Sequence, residues 1–182
     1  VNCYIASSPT NDALVYITAT EVGDYLDQIE ARKWPVTEIA FTGGEPFMNP
    51  QMIDMTEAAL ARGYDVLILT NAMRPMMRKS MREGLLRLQA VYPDKMTLRI
   101  SVDHYRADLH DAERGAGAFE KTLTGMKWLR DNGFTMAVAG RSVFGDDDAS
   151  SRSGYAAFYA AYNFKIDAQN PGMTVLFPEM DE

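Results

Sequence analysis

Apolar positions along this chain switch repeatedly between a helical and a strand period, and the switches predict alternating helices and strands from one end to the other. A first helix is expected from about Ala19 to Lys33. Thr18 and Glu21 have capping-box spacing, Val22, Tyr25, Leu26 and Ile29 form one apolar stripe, and Pro35 closes the segment. A strand from Thr37 to Thr42 runs into Gly43-Gly44-Glu45-Pro46, followed by a helix with Asn49 as its cap, Pro50 at its first position and Gly63 at its end. Val66 to Leu69 is a continuous apolar run of the kind shown by a strand covered on both faces, and it ends in Thr70-Asn71. Met81, Leu85 and Leu88 mark a third helix. A strand from Met96 to Val102 leads into a polar loop holding Asp103, His104, His110 and Asp111. Phe119, Leu123, Met126 and Leu129 line the next helix, which Gly133 ends. The remaining elements are a strand from Phe134 to Ala139, a polar loop from Gly145 to Gly154, a short helix from Tyr155 to Tyr162 and a last strand from Met173 to Phe177.

Five strands spaced by about thirty to forty residues have the rhythm of successive βα units, so the fold class is α/β with a parallel sheet. In such sheets chemistry collects just beyond the carboxyl ends of the strands. The 182 residues suit one compact unit, and a composition of 47% hydrophobic and 24% charged residues excludes disorder and fibrous repeats. Lys and Arg number 18 against 25 Asp and Glu, and the resulting charge of −7 argues against a nucleic-acid partner. No apolar run is long enough to span a membrane and the first residues have no signal-peptide pattern, so the expected location is cytoplasmic with no membrane partner. The single cysteine, Cys3, excludes an internal disulfide and cannot alone hold a structural zinc.

Among the strand-end residues, Thr42-Gly43-Gly44-Glu45-Pro46 stands out. Paired glycines let a ligand approach main-chain groups, and the carboxylate that follows suits a cation, so the segment can clamp both halves of an amino-acid zwitterion. A tight strand-to-helix turn with a solvated glutamate fits the same residues. His104, His110, Asp103, Asp108 and Asp111 are crowded together, but their spacing matches no dedicated metal site and a polar loop without metal is the preferred reading. Asp146 to Asp148 reads as a solvated surface loop because it lacks the alternation of a calcium loop. The twelve methionines fall mostly at core positions.

Cys3-Tyr4, followed roughly forty residues later by a strand ending in Gly43-Gly44-Glu45-Pro46, resembles the radical S-adenosylmethionine (radical SAM) superfamily. In that family a CxxxCxxC loop, often with an aromatic after its last cysteine, holds a 4Fe-4S cluster. Cys3 matches the last cysteine and Tyr4 the aromatic; the other two cysteines and the first strand would then precede Val1, which makes residues 1–182 a core-domain fragment. Thr42 to Pro46 match the motif that holds the amino group of the methionine moiety. Thr70-Asn71-Ala72 resembles a Thr-Asn-Gly strand end with the glycine replaced, Ser101 and Asp103 match a Ser plus Asp pattern, and His110, Asp111, Arg114, Gly115, Gly117 and Phe119 resemble a loop that often follows.

The resemblance implies a partial TIM-like (β/α)6 barrel whose first strand is missing. It implies S-adenosyl-L-methionine and a 4Fe-4S cluster as cofactors, with the open iron taking the amine and carboxylate of the methionine moiety. Reduction, by an external electron donor, would generate a 5'-deoxyadenosyl radical that abstracts hydrogen from a peptide or small-molecule substrate. By position, Thr70, Asn71, Ser101 and Asp103 would contact ribose or carboxylate, and Arg141 would pair with the carboxylate as a charged fork. With one cysteine, the fragment itself is expected to be inactive. A non-enzymatic α/β small-ligand-binding domain and a folded remnant without function are the competing readings.

Overall fold

Thr18 opens the first helix as its spacing predicts. In the computed structural model, which describes residues 15–142 and 145–178, helix α1 spans Ala19–Ala31. The Glu21 amide donates to Thr18 Oγ1 at 3.2 Å while the Thr18 amide donates to Glu21 Oε2 at 2.8 Å, so two amides of the first turn are satisfied reciprocally. Cys3 and Tyr4 lie outside the described residues.

The strands are β1 (Glu38–Phe41), β2 (Asp65–Thr70), β3 (Met96–Ser101), β4 (Thr135–Arg141) and β5 (Thr174–Phe177), all parallel and in the spatial order of the chain. Between them run α2 (Met52–Ala61), α3 (Lys79–Val91), the pair α4 (Ala107–Arg114) and α5 (Ala118–Asp131), and α6 (Asp148–Ala161). Sequential order with right-handed crossovers puts every helix on the same face of the sheet, which is the succession of a barrel wall and not of a doubly wound sheet. Burial follows from this. In register, Val66 pairs with Met96, Ile68 with Leu98, and Leu98 in turn with Met136; these side chains form the core under the helices. Leu67, Leu69, Thr97, Arg99 and Ser101 alternate with them and are half-buried. The Val66–Leu69 run is therefore covered fully on one face only, which corrects the expectation of a strand buried on both.

Three elements differ from the sequence reading. Asn49 and Pro50 do not open a helix: a 3-10 turn spans Pro46–Met48 and α2 begins at Met52. The buried Asn49 instead accepts from the Gln51 amide at 2.9 Å and donates from Nδ2 to the Ile17 carbonyl at 2.7 Å, tying this corner to the segment before α1. Residues 107–114, read as polar loop, form α4, whose only buried side chain is His110, so no apolar stripe announces it. Residues 148–154 likewise belong to α6. Asp147 caps it by accepting from the Ser150 amide at 2.6 Å, and Gly154 is kept where a Cβ would lie 2.2 Å from the Tyr105 ring.

Candidate functional site at the carboxyl ends of the strands

The end of β1 passes through exposed Thr42, Gly43 and Gly44 to Glu45. Gly43 has φ 141°, a value that a side chain would make costly. Glu45 turns inward to the neighbouring strand end. Its Oε1 accepts from Thr70 Oγ1 at 2.8 Å and from the Phe47 amide at 3.2 Å, and its Oε2 accepts from the Asn71 amide at 2.8 Å. Burial pushes the Glu45 carboxyl above its ordinary range, opposed by the bonds from Asn71, Thr70 and Phe47 and by the field of Arg114. Among the described residues no cationic side chain forms an ion pair with Glu45. Glu45 is therefore a half-buried carboxylate bonded to the neighbouring strand end as well as the cap of the turn that follows it, and not a fully solvated one.

The turn after β2 is equally defined. The Ala72 amide donates to Thr70 Oγ1 at 3.0 Å and the Met73 amide to Asn71 Oδ1 at 2.8 Å. Ala72 has φ 55°, in the left-handed region that glycine enters freely and that costs an alanine about 1 kcal/mol. The Gly of the Thr-Asn-Gly pattern is thus replaced at a position whose backbone still requires its conformation.

At the end of β3, Asp103 is 5% exposed and takes a two-pronged bond from Arg114 on α4, Nε to Oδ2 at 2.6 Å and Nη2 to Oδ1 at 2.9 Å. The Asp103 amide donates to His110 Nδ1 at 3.2 Å; burial pushes the His110 imidazole below its usual pKa and favours the neutral form. The Tyr155 hydroxyl lies 2.7 Å from the Val102 carbonyl and 3.1 Å from that of Asp103. Arg141, at the end of β4, donates its amide to the Asp103 carbonyl at 3.0 Å and its guanidinium to Glu113 Oε2 at 3.0 Å.

Glu45, Thr70 and Asn71 therefore meet directly, with Gly43, Gly44 and Pro46 adjoining in sequence. Asp103 is joined to them through the charge of Arg114, which acts on Glu45. Ser101 is half-buried on β3 and makes no side-chain hydrogen bond with the others. Asp103 pairs with Arg114 and Arg141 with Glu113. Arg114 enters the sequence reading only as part of a loop pattern; an arginine eleven residues past a strand-end aspartate gives no sign of a fork until α4 folds back.

The acidic run is not a simple solvated loop. Asp146 Oδ2 lies 3.3 Å from His104 Nε2 and 3.2 Å from the Tyr105 hydroxyl, Asp147 is a cap and Asp148 pairs with Arg152 at 2.8 Å. Among the described residues no group of three or more His, Cys, Asp and Glu side chains is placed to hold a metal. A cleft of about 430 Å³ opens at the opposite, amino-terminal end of β1 and β2, where Arg62 pairs with Asp27 and Lys95 with Asp65. It is remote from the strand-end cluster.

A single-faced parallel barrel wall with a half-buried carboxylate and glycines at its carboxyl edge is the architecture of a barrel-type enzyme core. The Radical SAM superfamily matches residues 2–148, and the chain belongs to that superfamily. It is 31% identical over 144 residues to the antilisterial bacteriocin subtilosin biosynthesis protein AlbA of Bacillus subtilis (strain 168), covering 79% of this chain and 30% of that protein. It is 28% identical over 126 residues to the AdoMet-dependent heme synthase of Methanosarcina barkeri (strain Fusaro / DSM 804), covering 67% and 33% respectively. Streptococcus suis SuiB bound to precursor peptide SuiA shares the fold with a TM-score of 0.69 at 14% identity over 92% of this chain and 34% of that one. The fold is thus the partial TIM-like barrel expected, and the chain spans about a third of the length of each of these proteins. No helix among the described residues is long and apolar enough to cross a membrane.

Proposed function

We propose that this chain is the S-adenosylmethionine-binding core domain of a radical SAM enzyme that modifies a peptide. The observation that carries the reading is Glu45, a half-buried carboxylate at the carboxyl end of the first described strand, held by three neutral donors and lacking a cationic side-chain partner. A partly desolvated charge without a counter-charge is a ready partner for a cation, and the ammonium of a methionine moiety supplies one. The residues present therefore fit this ligand. Glu45 would hold the ammonium beside main-chain groups of Gly43 and Gly44, Thr70 and Asn71 would keep the carboxylate aimed, and Ser101 would face the ribose or carboxylate.

Cys3 would supply one thiolate to a 4Fe-4S cluster, which when bound and reduced by an external donor provides the electron that cleaves the sulfonium to a 5'-deoxyadenosyl radical. The 182 residues hold one cysteine where three thiolates are required, so on their own they form no stable cluster and are inactive. A peptide substrate is favoured by the bacteriocin biosynthesis protein and by SuiB with its precursor peptide; the heme synthase keeps a small molecule as the second reading. Anaerobic iron and sulfide reconstitution of the full-length protein, then reduction with S-adenosylmethionine present, tests the reaction class. The expected result is a brown protein that releases 5'-deoxyadenosine. A protein that binds S-adenosylmethionine but takes up no cluster and releases no nucleoside would restore the non-enzymatic binding domain.

A further inference from the structure

The turn that carries two of Glu45's three donors is itself held from behind by α5. Thr122, 1% exposed, donates its hydroxyl to the Asn71 carbonyl at 3.0 Å. One turn along the same helix, Gly125 leaves room for the next carbonyl: a Cβ there would lie 1.9 Å from the Ala72 oxygen and 3.0 Å from the Ala72 Cβ. A threonine inside a helix ordinarily returns its hydroxyl to the carbonyl four residues back. Thr124 does so with Glu120 at 2.8 Å, and Thr56 does so with Met52 at 2.8 Å. Thr122 forgoes that bond and reaches out of its helix to a strand-end turn. The turn needs such support, because Ala72 sits at φ 55°, a conformation an alanine keeps only when its surroundings impose it.

We propose that Thr122 and Gly125 are positioning residues for Glu45, fixing the Asn71–Ala72 turn and through it the direction in which the carboxylate is presented to the ammonium of S-adenosylmethionine. This rests on the reading of Glu45 given above. The path is continuous: the α5 hydroxyl holds the Asn71 carbonyl, the Asn71 amide holds Glu45 Oε2, and Thr70 Oγ1, which accepts from the Ala72 amide, holds Glu45 Oε1. A valine at 122 keeps the volume and removes only the donor, whereas a serine keeps the donor.

The test is a cycle of Thr122→Val, Thr122→Ser and Glu45→Gln in the cluster-bearing full-length enzyme, reading S-adenosylmethionine affinity by calorimetry and hydrogen exchange at the Asn71 amide. Thr122→Val is expected to weaken binding roughly threefold to tenfold, the worth of one net hydrogen bond, and to speed exchange at Asn71. Thr122→Ser is expected to stay within about twofold of the parent. Combined with Glu45→Gln, Thr122→Val is expected to cost nothing further, since the effect passes through that carboxylate. Gly125→Ala is the harsher variant, and Thr122→Val keeps the test decisive should it fail to fold. Parent-like affinity in Thr122→Val, or the same loss in the Glu45→Gln background, overturns the positioning role while leaving the clamp reading standing. Parent-like affinity in Glu45→Gln overturns the clamp reading itself.

Discussion

Gly140→Ala is expected to destabilise the protein by an amount that depends on a single hydroxyl. A Cβ at this position in β4 would lie 2.2 Å from Tyr155 Oη, 2.7 Å from its Cζ and 3.0 Å from Leu176 Cδ2. Tyr155 is fully buried and ringed by Tyr105 and Tyr159, so it has no free space into which to swing. Restoring ordinary contact requires its hydroxyl to retreat by about 1 Å, which breaks its bonds to the Val102 and Asp103 carbonyls. Overpacking of about 1–3 kcal/mol and a lost hydrogen bond of about 1 kcal/mol give a total of about 2–4 kcal/mol. Tyr155→Phe alone loses only the hydrogen bond, about 1 kcal/mol. In the double variant the closest obstructing atom is gone, although the ring carbon still crowds the Cβ, so the combined loss is expected to fall short of the sum by about 1–2 kcal/mol. Urea unfolding followed by far-ultraviolet circular dichroism measures all three. A Gly140→Ala loss under about 0.5 kcal/mol, or strict additivity, would show that the hydroxyl does not govern this corner.

Arg114→Ala leaves the Asp103 carboxylate buried without its fork and is expected to cost about 3 kcal/mol, the lower end for a buried pair because Arg114 itself is about a third exposed. Arg114→Lys, which keeps charge but not the two-pronged geometry, should fall between parent and Ala in the same unfolding assay. Glu45 sets a pH dependence whose sign is fixed by burial: its carboxyl titrates above the ordinary 4.5 in the folded protein, so the folded state holds the proton over the window upward from 4.5. Stability should decline as pH rises through that window in the parent and not in Glu45→Gln, so the difference between the two unfolding free energies must slope downward with pH; a flat or rising difference refutes it.

What could be read from the sequence was whatever depended on local pattern. The capping box at Thr18 and Glu21, the β2 and β3 runs and the stripe of α5 are decided by neighbours a few residues away, and they lie where periodicity placed them. Glu45 stood out because a glycine pair followed by a carboxylate at a strand end is unusual chemistry for a turn, but its contacts with Thr70 and Asn71 on the next strand end appear only in the fold. The α4 helix was not, because its eight residues bury only His110 and it is held by the contacts that fold makes, Arg114 to Asp103 and Glu113 to Arg141. The start of α6 was obscured by Ser-Ser-Arg-Ser-Gly, whose weak helix propensity is overruled by the Asp147 cap and by Tyr105 packing on Gly154. Thr122 and Gly125 lie about fifty residues from the turn they support. A glycine in mid-helix at 125 was the one visible hint of a close approach.

The most direct measurement of the central claim is calorimetric titration of S-adenosylmethionine into the cluster-bearing full-length enzyme and its Glu45→Gln variant. Replacing the carboxylate by an amide removes a charge-assisted bond of about 1.5–3 kcal/mol, which corresponds to roughly tenfold to hundredfold weaker binding. Iron content should be equal in the two proteins, because Glu45 is no cluster ligand. A tenfold or greater loss of affinity at unchanged iron content is the predicted result, and equal affinity in the two proteins would contradict the account.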